Sequence, residues 1–489
     1  MATKKFTILH SNDMHGDFLA EINASKPGEM IGGLALLSAY INKVRSEEEN
    51  VLFVISGDMV QGSLIDTEYK GISTIEIMNY LAPDVVALGN HEFDYGLPHL
   101  LFLEKMANFP IVNANLYVKN YHRRLMNPYK VIKKAGFEIL FTGIITDKVI
   151  DSISQDKLIG SFVNLEEASG EVGKICNAYK NDDIDLTILL THIGIDSDQE
   201  LAKLLKPEWG VDLIIGGHSH TFLEKPVVVN NIPIVQAGTS TNQVGRFDIT
   251  VDDDTNSIVE CKWQLIPITS DIVKPDETLL KFIEGFKNEV DAKYSAILTK
   301  FSEKLTHPLR EIETSLGNLF ADAFADAAQC DVALVGSGSI RVKEMGPVVT
   351  LNDLMSCFPY NDSLTRFSVT GTQLINIFSH FMRAENRNSE GECYQVSSKV
   401  QVIYDDKNNK IKTITIDKKP VIEQNIYTIC LQGYHFHNSK AYLNISESEF
   451  LKNAPQKVIS TSAQDIMIEY LRGHQNLISK VEGRLTYLS

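Results

Sequence analysis

The sequence predicts an α/β protein of two domains, and three observations predict it. Short apolar runs bounded by turn residues alternate with helical patterns up to about residue 270. Such runs read as buried strands, and their alternation with helices reads as a layered α/β domain. A long, charged amphipathic pattern over residues 276–300 then leads into a second α/β region. The 489 residues, 44% of them hydrophobic, suffice for two or three domains with real cores.

In order, the strand-like runs of the first region are residues 6–9, 51–55, 85–88, 186–190 and 211–215. Residues 33–46 and 162–179 carry apolar positions at helical spacing. Residues 232–236 and 244–249 then follow strand upon strand. These features place a first domain at 1–272, a helical linker at 273–304 and a second domain at 305–489. Within the second, residues 315–329 align Leu316, Leu319, Phe320, Phe324 and Ala327 on one stripe. Another helix is expected over 372–383, after the turn at Gly371, and the polar stretch 383–393 reads as a loop.

Composition narrows the partners. Net charge is −17, from 46 Lys+Arg against 63 Asp+Glu. Nucleic-acid polymers and anionic membranes both call for basic patches, so neither is expected as a partner. No apolar run approaches the roughly 20 residues of a membrane span, and no secretory pattern opens the chain. The cysteines Cys176, Cys261, Cys330, Cys357, Cys393 and Cys430 are scattered, with no CxxC pair. They read as free thiols in a reducing compartment, and a cytoplasmic location is expected.

Each of the five apolar runs ends in metal-ligand chemistry. The endings are Asp13-Met14-His15, Gly57-Asp58, Gly89-Asn90-His91-Glu92, Thr191-His192 and Gly217-His218-Ser219-His220. Any one alone reads as a turn, a cap or a satisfied core histidine. Together, Asp13, His15, Asp58, Asn90, His192, His218 and His220 place ligands at the ends of separate strands, where side chains converge on one crevice. Two Asp, one Asn and four His suffice for two divalent cations. Mixed imidazole and oxygen donors suit Mn, Zn, Fe or Co rather than Ca or a thiolate-held metal.

This order of motifs resembles that of the calcineurin-like metallophosphoesterases. The longer strings Ile8-Leu9-His10-Ser11-Asn12-Asp13-Met14-His15-Gly16 and Leu88-Gly89-Asn90-His91-Glu92-Phe93-Asp94-Tyr95-Gly96 resemble the branch of 5′-nucleotidases and UDP-sugar hydrolases. The resemblance implies a four-layer α/β/β/α catalytic sandwich followed by an α/β substrate-binding domain. It also implies that Asp13 and His15 bind one cation, completed by His220. Asn90, His192 and His218 would bind the other, and Asp58 would bridge. A bridging carboxylate lets two cations sit about 3.5–4 Å apart and aim a water between them.

His91 is read as a catalytic group rather than a ligand. Asp94 lies three residues on, within reach of its ring N–H, an arrangement usual for acid–base or charge-stabilising histidines. Asp94 could equally cap the helix that follows. Asn90 joins His91 and Asp94 in the implied catalytic set.

In the second domain, Ser337-Gly338-Ser339-Ile340-Arg341 resembles the family's Gly-rich turn ending in a phosphate-binding Arg. Arg310 aligns with a second phosphate-contacting Arg, while Thr306 stands where the family often has another. Phe358-Pro359-Tyr360-Asn361-Asp362 resembles the base-stacking segment, with Tyr360 as the ring and Asp362 as a polar contact. Tyr434 or Phe436 could supply the second ring, in a segment that lacks the family's Gly-Gly-Asp-Gly. His435 and His437, nearby, are read as lining the pocket or the surface.

These expectations amount to a two-metal hydrolase that releases phosphate from nucleoside 5′-monophosphates. The alternative keeps the metals and changes the substrate to a UDP-sugar or a 2′,3′-cyclic nucleotide. A scaffold with a vestigial site would have lost ligands, and this chain retains the full set.

Overall fold

Each of the five motif-bearing runs forms a strand, buried along the stretch that leads into its motif. They are β1 (Thr3–Ser11), β2 (Val51–Ser56), β3 (Val85–Ala87), β4 (Leu186–His192) and β5 (Leu213–Ile215). The computed structural model describes residues 3–488 apart from 119–122, 135, 147–158, 163, 180–181, 183, 253, 256 and 388–391. Two compact units form, Met1–Val290 and Asp291–Ser489.

Among the described residues, the first unit holds two six-stranded sheets. One contains β1, β2 and β3 side by side and parallel, with Ser11 opposite Ile55 and Ser56 opposite Ala87. The other contains β4 and β5, also parallel, with Leu190 opposite Ile215. Alternate residues of each strand face the other sheet. Ile8, Leu52, Val54 and Val85 meet Phe141, Ile188, Leu190 and Ile215 in one core, as the period of two along a strand requires. The opposite face of the second sheet packs Leu140, Leu189 and Ile214 against Val172, Ile175 and Leu201 of helices Leu165–Ala178 and Ile195–Leu204. Helix Leu34–Glu47 contacts β2 on the outer side of the first sheet. The layers therefore run α/β/β/α. Parallel neighbours put the carboxyl ends of β1, β2 and β3 along one edge, and those of β4 and β5 likewise.

The expected linker 273–304 divides between the units. Helix Glu277–Tyr294 buries Leu279, Ile283, Val290 and Tyr294 along one stripe. As far as residue 290 it belongs to the first unit, where Asp276 accepts from Ser38 Oγ (3.0 Å) and Tyr69 OH donates to Glu289 (2.5 Å). Strand Ile297–Lys300 pairs instead with Val348–Thr350 of the second unit. A charged sequence conceals this docking because its apolar residues occupy only one side of the helix.

The second unit combines a five-stranded and a four-stranded sheet. Val332, Leu334, Phe367 and Ile429 of the first share a core with Val400 and Val402 of the second. Helix Ser315–Ala328 starts at Thr314, whose hydroxyl accepts from Gly317 N, and stops at Gln329 in left-handed conformation. Helix Gly371–Phe381 starts with a capping box between Thr370 and Gln373. In the stretch read as a loop, Ala384–Arg387 forms a short helix and 388–391 lie outside the described residues. All six cysteines are free, and among the described residues no helix is long and apolar enough to cross a membrane.

His435 is buried in this unit, its Nδ1 3.0 Å from the Tyr394 hydroxyl. Burial pushes its pKa down to about 4. The folded chain thus refuses a proton that the unfolded chain accepts between pH 6.5 and 4, and this site's contribution to stability falls as pH drops through that window. The stability advantage of wild type over His435→Gln is expected to shrink by about 3 kcal/mol from pH 7 to pH 4. Denaturant unfolding of both proteins across that range checks it. An advantage that holds or grows in acid contradicts it.

Candidate metal centre

Strand ends deliver the donors, and tight turns aim them. Asp13 and His15 follow β1, Asp58 follows β2, Asn90 and His91 follow β3, His192 ends β4, and His218 and His220 follow β5. Asp13, His15, Asp58, His218 and His220 all have positive φ, between 49° and 79°. Non-glycine residues avoid this region at a cost on the order of 1–3 kcal/mol each, and such strain gathers at functional sites. Here it turns side chains back over the sheet edge.

Three overlapping donor groups result, each with its atoms within 4.8 Å of one another: Asp13–His15–His220, His15–Asp58–His91 and Asp58–His192–His218. Asp58 Oδ2 lies 3.0 Å from His192 Nε2 and 3.9 Å from His15 Nε2. Asp13 Oδ1 lies 3.3 Å from His220 Nε2. Asn90 Oδ1 lies 2.8 Å from His218 Nδ1 and 3.2 Å from His192 Nε2. All seven sequence-derived ligand candidates therefore come together, and Asp58 belongs to two of the three groups.

The donor chemistry fits cations. His15 Nδ1 faces the Gln61 carbonyl at 3.0 Å, and His192 Nδ1 faces the Ser56 carbonyl at 2.8 Å. In a neutral imidazole those nitrogens carry the proton, leaving both Nε2 lone pairs turned inward. The lone pairs meet other atoms able to bind a cation: His220 Nε2 at 3.1 Å from His15, and Asp58 and Asn90 beside His192. Acceptors crowded against acceptors need a cation or a proton between them. Burial opposes a charge on His192, but the neighbouring Asp58 carboxylate outweighs burial and raises its pKa. Burial would likewise raise Asp58, yet His192 and the His91 backbone N–H hold it low.

Close approach also requires glycine. A Cβ on Gly89 would lie 2.2 Å from Asp58 Oδ1, and one on Gly57, at φ 77°, would lie 2.5 Å from His192 Nδ1. Neither position has room for alanine without displacing a donor.

His91 stands at the rim, half-buried. Its Nδ1 bonds Asp94 Oδ2 at 2.7 Å, and its ring lies 5.2 Å from that of His15. The bond to Asp94, against opposing burial, raises its pKa to about 8. The His91 backbone N–H donates to Asp58 Oδ1 at 2.9 Å, tying this turn to the bridging position.

Residues without an assigned role in the sequence reading support the ring of donors. Glu92 is buried and accepts from three backbone N–H groups, those of Asp58 (3.0 Å), Gly89 (2.6 Å) and Met59 (2.7 Å). It clamps the turn after β2 to the turn after β3. Asn12 donates to Asp13 Oδ2 at 2.7 Å and accepts from Ala237 N at 2.9 Å. Asp17 accepts from Ser240 Oγ (2.7 Å) and Thr241 Oγ1 (2.8 Å). Their position inside or beside the motifs was the available signal.

In the second unit Arg310 and Arg341 are exposed, and the Arg341 guanidinium lies 6.0 Å from the Tyr360 ring centre. Tyr360 is 49% exposed and Tyr434 54% exposed, so both rings offer a face. Phe436 does not. It is 7% exposed and stacks on Phe367 at 4.6 Å inside the core, so its candidacy as a stacking ring is withdrawn. Asp362 accepts the backbone N–H groups of Ser363 (2.6 Å) and Tyr434. Its carboxylate joins the two aromatic segments rather than standing free. His435 is buried, and His437 is exposed beside Glu447 at 3.2 Å.

Comparison with known proteins agrees with this geometry. The calcineurin-like phosphoesterase family model matches residues 6–222, and the 5′-nucleotidase C-terminal domain model matches residues 296–445. A 5′-nucleotidase-related protein of Glossina morsitans morsitans is 28% identical, over 99% of this chain and 94% of its own length. The 5′-nucleotidase of Mus musculus is 26% identical, over 99% of this chain and 90% of its own. The crystal structure of the 5′-nucleotidase precursor from Thermus thermophilus superposes with a TM-score of 0.60 at 22% identity, covering 99% of both chains, and so shares the fold. With both of its units matched in order and the donor set in place, the chain belongs to the 5′-nucleotidase family of calcineurin-like metallophosphoesterases.

Proposed function

We propose that this protein is a metal-dependent phosphoester hydrolase of nucleotides that releases phosphate from nucleoside 5′-monophosphates. The observation that carries the reading is Asp58, a carboxylate shared by two donor groups. Two divalent cations held there, of the Mn, Zn, Fe or Co class, would acidify a water and neutralise charge on the phosphoryl oxygens. Asp13, His15 and His220 would hold one and Asn90, His192 and His218 the other, with Asp58 common to both.

In the first unit the chain's own groups act around that centre. His91, oriented by Asp94, donates to a phosphoryl oxygen whose charge grows as the ester bond breaks. The Asn90 amide oxygen faces the His192–His218 side. In the second unit Arg310 and Arg341 supply guanidinium forks for an anionic group, and Tyr360 and Tyr434 supply exposed rings for a base. Losing a stacking ring costs about 1–3 kcal/mol. Tyr360→Ala is therefore expected to raise KM for AMP by about 5- to 150-fold. Initial-rate kinetics check it, and an unchanged KM removes Tyr360 from the pocket.

A phosphate-release panel of AMP, UDP-glucose, 2′,3′-cAMP and p-nitrophenyl phosphate tests the substrate class. The highest kcat/KM is expected on AMP. Faster turnover of UDP-glucose or the cyclic nucleotide would transfer the assignment to pyrophosphate or cyclic-diester hydrolysis on the same centre.

A further inference from the structure

The loop carrying His218 and His220 belongs to neither strand nor helix, and both histidines are in left-handed conformation (φ 79° and 51°). Backbone strain of this kind persists only where the surroundings over-determine it. A fully buried amide is central to that support here. Gln236 Nε2 donates to the Gly217 carbonyl at 3.2 Å. Gln236 Oε1 accepts from Ser219 Oγ at 2.9 Å and from Thr221 N at 3.3 Å. The loop is thus held before, between and after its two imidazoles.

The same Nε2 donates to Asp198 Oδ2 at 3.2 Å, and Asp198 is also fully buried. Asp198 Oδ1 accepts from the Thr191 hydroxyl at 2.6 Å, and Thr191 immediately precedes His192. A Cβ on Gly216 would fall 2.1 Å from Asp198 Oδ2 and 2.9 Å from Gln236 Nε2, so the pair sits directly against the loop backbone. Ser219 Oγ also accepts from Ile195 N at 3.0 Å, and Gly194 N donates to the Gly217 carbonyl at 3.0 Å. One amide–carboxylate pair therefore connects the supports of three donor imidazoles without being a donor itself.

Resting on the reading that these imidazoles hold cations, we propose that Gln236 and Asp198 are positioning residues that set the cation affinity of the His192, His218 and His220 side of the centre. The polarity of the pair is directional. Gln236→Glu puts a carboxylate against Asp198 and strips the donor from Gly217. Asp198→Asn turns an amide N–H toward the amide N–H of Gln236, or deprives the Thr191 hydroxyl of its acceptor. In the double exchange the amide introduced at position 198 donates to the carboxylate introduced at position 236. The second oxygen of that carboxylate still accepts from Ser219 and Thr221. The Gly217 carbonyl keeps its bond from Gly194 N.

The test titrates Mn²⁺ alone into metal-free wild type, both single variants and the double exchange, by competition with a fluorescent chelator. Metal-free melting temperatures and KM and kcat for AMP are recorded alongside. Each single variant is expected to lose roughly 10- to 100-fold in Mn²⁺ affinity, the size of loss seen for groups that orient ligands. kcat should fall while KM stays near wild type, and the double exchange should recover most of the affinity. Single variants that bind Mn²⁺ as wild type does, at whatever melting temperature, overturn the proposal. So does a double exchange as weak as the singles. Should either single variant fail to fold, the near-isosteric Thr191→Val, one hydrogen bond short, is expected to show the same loss of affinity, and an unchanged affinity there overturns the proposal equally. Wild type that binds no Mn²⁺ overturns the metal reading itself, and this proposal with it.

Discussion

Asp58→Asn is expected to abolish measurable turnover and to weaken both cations together. The substitution keeps the shape of the side chain and removes the charge on which both donor groups converge. Asp58 is buried, and its carboxylate already takes the His91 backbone N–H and lies 3.0 Å from His192. An amide there can serve one cation through its oxygen, but it cannot bridge two. A loss on the order of 10³-fold or more in kcat/KM, about 4 kcal/mol in the barrier, is the expected scale. Elemental analysis of the variant should return markedly less than two cations per chain. Wild-type metal content with a wild-type rate would remove Asp58 from the shared position.

His91→Asn separates the chemistry from the metal. His91 is part of one donor group with His15 and Asp58, so geometry alone would allow it to ligate. Its Nδ1 is engaged by Asp94, an arrangement that suits a proton donor. The expected result is a fall in kcat of about 10²- to 10³-fold, the range for removing one group that stabilises developing charge. Metal content should stay near that of wild type. Loss of a cation from this variant would make His91 a ligand.

The donor set was legible because of where it falls. Each apolar run is too short for a helix and too apolar for a surface, so it must be a buried strand, and buried parallel strands share an exit edge. The sequence therefore placed Asp13, Asp58, Asn90, His192 and His218 on neighbouring strand ends without coordinates. What joins those ends was less visible. Gln236 and Asp198 are 38 residues apart and meet only through the fold. Asp362 looked like a ligand contact, but its acceptor atoms are taken by the N–H groups of Ser363 and Tyr434. Tyr434 and Phe436 could not be told apart from the sequence, which lacks the family's Gly-Gly-Asp-Gly to set the register. They lie on the short helix Gly433–His437. A step of two residues is about 200° around a helix, so one ring faces the core and the other faces out. In the helix Glu277–Tyr294 the apolar stripe of Leu279, Ile283 and Val290 is interleaved with charge on the other faces.

The most direct test of a two-cation centre is metal stoichiometry read on the same sample as phosphate release from AMP. Purified protein should carry close to two divalent transition-metal ions per chain, lose activity as a chelator removes them, and regain it when Mn²⁺ or Zn²⁺ is returned. Phosphate release that persists undiminished in protein stripped of metal would contradict the account.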